Sequence, residues 1–431
     1  MENLLFVETG NKVMATAYYA KLSVDVDHLL GRLSPKTPSR FTVPVLELLL
    51  SKCKVTRACK VAERDTGTSY MEDLRSMYEN EKLYEVMNVD KHRNRVFVDM
   101  FERQIRGRHL KRWVEIGPGA SGTLTKMILD MAPDTRVDTL EAVSNSVKQL
   151  KATLGRHRPY LKRFTVQNTL VGLKKLDIPR DIQAVAGEVL GHVASVEGWV
   201  PILHGLSRYN PELKKVGTVV PLLFGTKMVP VNLEKWATRA REKGSHVVVG
   251  STVALVERIP FTQVQISDKH GIMEHFDSLQ ELRTGAHQPI RTFVAEFHVK
   301  ESQPFHGLGL YMYLGDGHSS TTSDKSRGLS FASSNWDNVF VPVGKGAWRV
   351  EDGDVIRVVS KCKVEQFHPS YELDIHVFQG ARSKVKYNES VTFDYYDVIG
   401  MLLYPVDELL KTLSSAETKS RVKKEKVISQ L

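Results

Sequence analysis

The stretch WVEIGPGASG, residues 113 to 122, limits the fold of this chain more than any other. A short apolar run ends in glycines at positions 117, 119 and 122, and TLTKMILDM follows with the spacing of an amphipathic helix. Glycine tolerates the left-handed backbone needed to turn a strand abruptly into a helix, and its missing side chain lets a ligand approach the amides at the helix start. RVDTLEAV (136 to 143), RFTVQNT (163 to 169) and IQAVAGEVLG (182 to 191) repeat the apolar run further along. Strands that alternate with helices predict a parallel α/β sheet.

At about residue 215 the pattern changes. VGTVVPLLFGTKMVPV, VVVGSTVALV, FTQVQIS, RTFVAEFHV, LGLYMYLG, NVFVPV, DVIRVVSKCKV and YELDIHVFQG succeed one another with Gly, Pro, Asp and Ser between them. Many short strands separated by turn residues predict an antiparallel barrel or sandwich. NLEKWATRARE (232 to 242) interrupts the series as a helix, and 395 to 413 reads as a second one broken at Pro405. Ahead of the parallel sheet, 68 to 106 is helical in character, with Tyr70, Leu74, Met77, Tyr78, Tyr84 and Met87 spaced to share a face. Residues 1 to 66 hold a Pro/Ser break and the apolar run VPVLELLLSK, and form a separate module to which the sequence gives no role. The expected division is 1–66, 67–217 and 218–431.

A formal charge of +10 raises the question of a nucleic-acid partner. The basic residues are dispersed except in RGRHLKR (106 to 112) and KSRVKKEK (419 to 426), and no Asn/Asp-Pro-Pro-aromatic motif for base nitrogens occurs, so nucleic acid is not the expected partner. No stretch reaches eighteen apolar residues, which predicts no membrane span. The opening MENLLFVETGNK has no basic segment before its apolar run and does not read as a secretory signal. Three cysteines, Cys53, Cys59 and Cys362, show no zinc spacing, so no metal is expected and a reducing compartment, cytoplasmic or nuclear, fits.

Glu141 ends the second predicted strand, nineteen residues past Gly122, where a carboxylate can accept hydrogen bonds from both hydroxyls of a ribose. Dehydrogenases share that arrangement, so the nucleotide alone does not select a reaction. The loop GEVLGHVASVEG (187 to 198) is more selective. It places Glu188 and Glu197 nine residues apart, just past the fourth strand, where open α/β sheets bind ligands. Two acceptor-only carboxylates can grip a planar guanidinium from two sides, whereas a hydride acceptor would gain nothing from them. Adenosine carrying a sulfonium, and chemistry on arginine, fit that pair. His192 between them reads as a local hydrogen-bonding residue.

Together these motifs resemble the protein arginine methyltransferase family, over roughly 68 to 380. The resemblance implies a Rossmann-like class I methyltransferase domain, then an antiparallel β-barrel interrupted by a helical dimerisation arm, here near 232–243. In that family a helix ahead of the glycine turn carries a tyrosine, a methionine and an arginine; YEVMNVDKHRN (84 to 94) is similar and supplies Tyr84, Met87 and Arg93. The turn Glu115-Ile116-Gly117-Pro118-Gly119-Ala120-Ser121-Gly122 and Glu141 would hold S-adenosyl-L-methionine, with Arg93 on its carboxylate. Members often place a glutamate after the third strand for the adenine amino group; the run Thr169-Leu170-Val171-Gly172 has none, which leaves backbone groups from Thr169 onward. Glu188 and Glu197 correspond to the paired glutamates that bind the acceptor. The family's Thr-His-Trp loop has its nearest match in Ser334-Asn335-Trp336, which keeps Trp336 and replaces the histidine. The resemblance thus implies a homodimeric arginine N-methyltransferase acting on a protein or peptide. Free arginine or another small guanidino metabolite as acceptor, and a catalytically silent partner subunit, are the readings left beside it.

Overall fold

Helix α1 (Lys91–Arg108) begins where Asp90 takes the N-cap position, its Oδ1 accepting the Arg93 amide at 2.9 Å. Phe97, Met100, Phe101 and Ile105 form one buried stripe along it, and Phe101 meets Trp113 edge-on at 5.5 Å. The computed structural model describes residues 88, 90–232 and 234, then 246–249, 254–256, 264–285, 290–315, 338–344, 347–364, 369–380, 384–394, 398 and 402–405. The expected N-terminal module, Tyr84, Met87, Asn335, Trp336 and all but Asn232 and Glu234 of the expected arm lie outside the described residues.

Five parallel strands follow α1: β1 (Arg112–Ile116), β2 (Arg136–Glu141), β3 (Phe164–Asn168), β4 (Ala184–Gly187) and β5 (Thr218–Val220). Helices α2 (Thr123–Met131) and α3 (Ser144–Gly155) connect the first three, each burying an aliphatic stripe that includes Ile128 and Leu129 or Leu150 and Leu154. The order is β3-β2-β1-β4-β5, so the chain first winds outward from β1 and then returns to its other side. That reversal leaves a crevice at the carboxyl ends of β1 and β4, the place where open sheets of this kind bind ligands. The parallel sheet also runs past the expected limit at residue 217, because Thr218–Val220 pairs with Ala184–Ala186.

Helix α4 (Trp199–Tyr209) is buried from Trp199 through Ser207, since it has protein on both sides. Behind it stand antiparallel strands. A seven-stranded sheet has the order β18-β7-β8-β13-β12-β6-β9, with β6 (Leu223–Val231), β7 (His246–Val249), β8 (Ala254–Val256), β9 (Gly271–Asp277), β12 (Gly307–Gly315), β13 (Asn338–Pro342) and β18 (Leu402–Pro405). A four-stranded sheet, β10-β15-β16-β17, comprises β10 (Arg291–His298), β15 (Val355–Lys363), β16 (Ser370–Gln379) and β17 (Lys384–Asp394). The short strands β11 (Gln303–Phe305) and β14 (Trp348–Val350) pair with each other, and α5 (Ser278–Thr284) follows β9 against α4. Strand β16 alternates inward Tyr371, Leu373, Ile375 and Val377 with half-exposed neighbours, the pattern of a sheet covered on one face. One continuous apolar core joins these strands to the parallel sheet.

One local expectation fails. Leu402–Pro405 pairs with His246–Val249 as a strand, where a helix was expected over 395 to 413. Apolar residues in a short run suit either state, and the partner strand lies more than 150 residues away in sequence. Within FTQVQIS, of which residues 264–267 are described, Gln265 bridges Val231 in antiparallel fashion.

Candidate active site

The glycine turn leaves β1 with Gly117, Gly119 and Gly122 all in the left-handed region, at φ of 66°, 64° and 58°. At Gly122 a Cβ would sit 2.5 Å from Leu150 Cδ1, so space as well as backbone conformation excludes a side chain. Glu141 reaches the turn from the end of β2: its Oε2 accepts the Gly119 amide at 3.0 Å and its Oε1 the Val143 amide at 2.8 Å. The Ala142 amide is a third donor to Glu141, and a carboxylate has about four acceptor positions, so about one remains for a ligand. Burial pushes the Glu141 carboxyl up, and the backbone donors oppose that.

Glu115 lies one layer deeper, 1% exposed, where Thr125 Oγ1 of α2 donates to its Oε2. Burial pushes its carboxyl up to about 8. Thr169 stands at the end of β3, its amide donating to Glu141 O at 2.9 Å.

The segment just before α1 is laced to the turn. Asn88 Oδ1 accepts from Ser121 Oγ at 2.9 Å and Thr123 Oγ1 at 2.6 Å, and Asn94 Nδ2 donates to Asn88 O at 2.8 Å. This web brings Arg93 over the crevice. Its Nη2 donates to Glu188 Oε2 at 2.7 Å, its Nη1 donates to Asn94 Oδ1 at 3.0 Å, and its Cζ lies 5.7 Å from the centre of the Phe97 ring. Both members of the Arg93–Glu188 pair have side chains only 7% exposed.

Glu188 is the first residue past β4. While its Oε2 is held by Arg93, its buried Oε1 has no hydrogen-bond partner among the described residues. Burial pushes its carboxyl up, and Arg93 opposes the shift. The loop then doubles back through a turn closed by Val196 N to Val193 O at 2.9 Å and Gly198 N to Ser195 O at 3.0 Å. Glu197 Oε1 lies 3.3 Å from where a Cβ on Gly191 would be, so the second carboxylate folds over a glycine of its own loop. Gly198, at φ 87°, then opens α4.

The structure therefore gathers Glu141, the glycines, Arg93 and Glu188 at the crevice, with Glu197 on the same loop. Sequence reasoning placed Ser121 in the turn but gave no role to Asn88, Asn94 and Thr123, which tether it. It also missed the second region's hold on the loop. Ala194 N donates to Thr226 Oγ1 at 2.9 Å, and Ser195 N donates to Glu274 Oε1 at 3.1 Å. Among the described residues no group of three or more His, Cys, Asp or Glu could hold a metal ion, and no helix is long and apolar enough to cross a membrane.

A parallel sheet that reverses beside a glycine turn, followed by antiparallel sheets packed behind α4, is the fold of a class I methyltransferase joined to a second region built mainly of strands. More particularly, it is the fold of the protein arginine methyltransferases. Arabidopsis thaliana protein arginine methyltransferase 10, solved in a uniquely open conformation, is similar with a TM-score of 0.56 over 74% of this chain and 99% of that one, at 13% identity. The Trypanosoma brucei PRMT1 enzyme–prozyme heterotetrameric complex with AdoHcy is similar with a TM-score of 0.54 over 73% of this chain and 99% of its own, also at 13% identity. No protein-family model and no curated protein sequence matches the chain.

Proposed function

We propose that this chain is an S-adenosyl-L-methionine-dependent methyltransferase that modifies a guanidino nitrogen of arginine in a protein or peptide. The observation that carries the reading is Glu188, a buried carboxylate at the sheet's reversal with one oxygen on Arg93 and the other offered no donor by the described residues. A buried acceptor left so costs about 1–3 kcal/mol, which a ligand bringing an N–H would recover. A guanidinium brings a planar fork of such donors. Glu197 supplies a second acceptor from the same loop.

The residues at the crevice fit the cofactor. Glu141 retains about one acceptor position for a ribose hydroxyl, the Gly117–Gly122 turn lets the nucleotide approach backbone, Thr169 closes the β3 end, and Arg93 is the cation for the amino-acid carboxylate. When bound, the cofactor supplies an electrophilic methyl group on a sulfonium. The acceptor guanidinium is protonated at neutral pH, its pKa above about 12, and delocalisation makes it a poor nucleophile. Glu188 and Glu197 hold its N–H groups, concentrate electron density on the terminal nitrogen and fix its direction of approach. Such orientation of two bound reactants is worth up to roughly 7–11 kcal/mol. Association into homodimers through 232–243 and a place in the cytoplasm or nucleus belong to the same proposal.

The test is transfer of labelled methyl from S-adenosyl-L-methionine to an arginine-rich peptide, to free arginine and to RNA in parallel. The peptide should take label. Glu188→Gln, which keeps an oxygen for Arg93 and removes the charge, should lower transfer by at least about 100-fold, the scale of losing one electrostatic contact to the reacting group. Undiminished transfer by that variant sinks the reading; label on free arginine moves the proposal to a small-molecule acceptor.

A further inference from the structure

The loop that carries both glutamates is held from the other region by side chains with no solvent exposure at all. Thr226 on β6 and Glu274 on β9 face each other in the antiparallel register, and both are 0% exposed. Thr226 Oγ1 donates to Glu274 Oε1 at 2.7 Å, and Ser195 Oγ donates to Glu274 Oε2 at 2.5 Å. Tyr371 OH lies 2.8 Å from Ser195 Oγ.

The directions of these bonds follow from the chemistry. Burial pushes the Glu274 carboxyl up, and the donors from Ser195 and Thr226 oppose that; when it is ionised it only accepts, so both hydroxyls spend their hydrogens on it. Thr226 Oγ1 is left to accept the Ala194 amide, and Ser195 Oγ to accept the Tyr371 hydroxyl. Two one-way chains result, Ala194 to Thr226 to Glu274 and Tyr371 to Ser195 to Glu274, with the Ser195 amide as a further donor to the same carboxylate. No polar atom of these four side chains lacks a hydrogen-bond partner. A buried carboxylate with no cation bonded to it is an expensive way to fill an apolar core, and Met or Leu would pack the same space more cheaply. What the acid adds is direction: it accepts the Ser195 amide itself and orients Thr226 Oγ1 to accept the amide of Ala194 just before it.

We propose that Glu274 and Thr226 are positioning residues, which hold the backbone at Ala194 and Ser195 so that Glu197, two residues on, is presented to the acceptor guanidinium. This rests on the arginine-methyltransferase reading for its substrate, while the anchoring itself does not. Neither side chain touches the nucleotide crevice, whose polar contacts come from Glu141, Arg93 and the glycine turn.

The experiment compares the full chain with Glu274→Gln, Thr226→Val and Thr226→Ser. Amide hydrogen exchange is followed in the peptides covering 188–198 and 115–126, AdoHcy affinity by calorimetry, and kcat and KM for an arginine-rich peptide by label transfer. In Glu274→Gln and Thr226→Val, exchange in 188–198 should rise at least tenfold while 115–126 stays as in the parent. Acceptor kcat/KM should fall tenfold or more with AdoHcy Kd within twofold, and Thr226→Ser, which restores the hydroxyl, should recover both. Unchanged exchange in 188–198, or equal losses at the acceptor and at AdoHcy, would overturn the proposal. If Glu274→Gln does not fold, the Thr226 pair decides by the same readouts. If the parent transfers no methyl to arginine, the proposed function fails, and the exchange data still decide the anchoring.

Discussion

Arg93→Met tests the central ion pair most directly. Methionine is close in length and can lie on the Phe97 ring that Arg93 now covers at 5.7 Å, so the change removes charge with little loss of packing. Both partners are 7% exposed and joined at 2.7 Å, so the variant leaves Glu188 as a buried, uncompensated anion. Stranding one member of a buried pair costs about 3–5 kcal/mol, which at about 2–4 °C per kcal/mol lowers the melting temperature by about 6–20 °C. Glu188 can escape part of that cost by taking up a proton. Burial already pushes its carboxyl up, and losing Arg93, the main opposing influence, pushes it further. With the folded pKa above the unfolded one, the folded state binds more protons in the window between them, so the variant loses stability as pH rises through that window. Its deficit against the parent should be smallest near pH 5 and largest near pH 8. Adding Glu188→Gln to Arg93→Met should return about 2 kcal/mol or more, because no buried charge is then stranded. Urea denaturation of the four proteins at both pH values measures the cycle. Effects that add within about 0.5 kcal/mol, or a deficit that ignores pH, would refute the coupling.

Glu115 gives a second pH signature. Burial holds its carboxyl at about 8 in the folded chain against an ordinary value of 4.5, so its contribution is fully present below the ordinary value and is lost as pH rises toward the folded one. Unfolding free energy should carry a downward slope of up to about 1.4 kcal/mol per pH unit across that window from this group, and Glu115→Gln should remove it; a change in unfolding free energy from pH 6 to 8 that is the same in the parent and in Glu115→Gln would count against the assignment. Gly205 on α4 packs on Gly172, where a Cβ would fall 2.0 Å from a backbone oxygen. Gly205→Ala should therefore cost more than the roughly 1–3 kcal/mol of ordinary overpacking. Gly155→Ala, with nothing within 4 Å of its Cβ, should leave the melting temperature unchanged or raise it; a Gly205→Ala protein that melts with the parent would show that α4 can move aside.

The parallel strands were legible because each is a short apolar run whose neighbours in sequence are helical, so pairing direction followed from connectivity alone. β5 was not. Thr218–Val220 runs through Pro221 into β6, and the whole of VGTVVPLLFGTKMVPV reads as one antiparallel stretch; only the pairing with Ala184–Ala186 assigns its first part to the parallel sheet. β9 escaped notice for a different reason. In GIMEHFD the adjacent Met273 and Glu274 are both buried, so an acid stands inside and the apolar-in, polar-out alternation is broken. A carboxylate placed inside to grip a loop erases the signal by which its strand would be found.

The same division runs through the site. Left-handed glycines and the acid at a strand's end are local requirements, which is why Gly117, Gly119, Gly122, Glu141 and Glu188 could be read from the chain and fall together at the crevice. Arg93 and Glu188 are 95 residues apart, and Ser195 and Glu274 are 79 apart, so those bonds exist only in three dimensions. The sheet order explains why the two acids then need different support. Because β4 lies beside β1, a residue directly after β4 meets the glycine turn with no further help, and Glu188 needs only to be first past Gly187. Glu197 comes nine residues later, after the chain has left the sheet and just before Gly198 opens α4. The side-chain hydrogen bonds that hold the backbone just ahead of it, at Ala194 and Ser195, come from Thr226 on β6 and Glu274 on β9. On the proposed function, the nucleotide half of the site belongs to one region, while the acceptor half draws on both. A change at Thr226 or Glu274 should therefore separate acceptor use from nucleotide binding, which a change in the glycine turn cannot do.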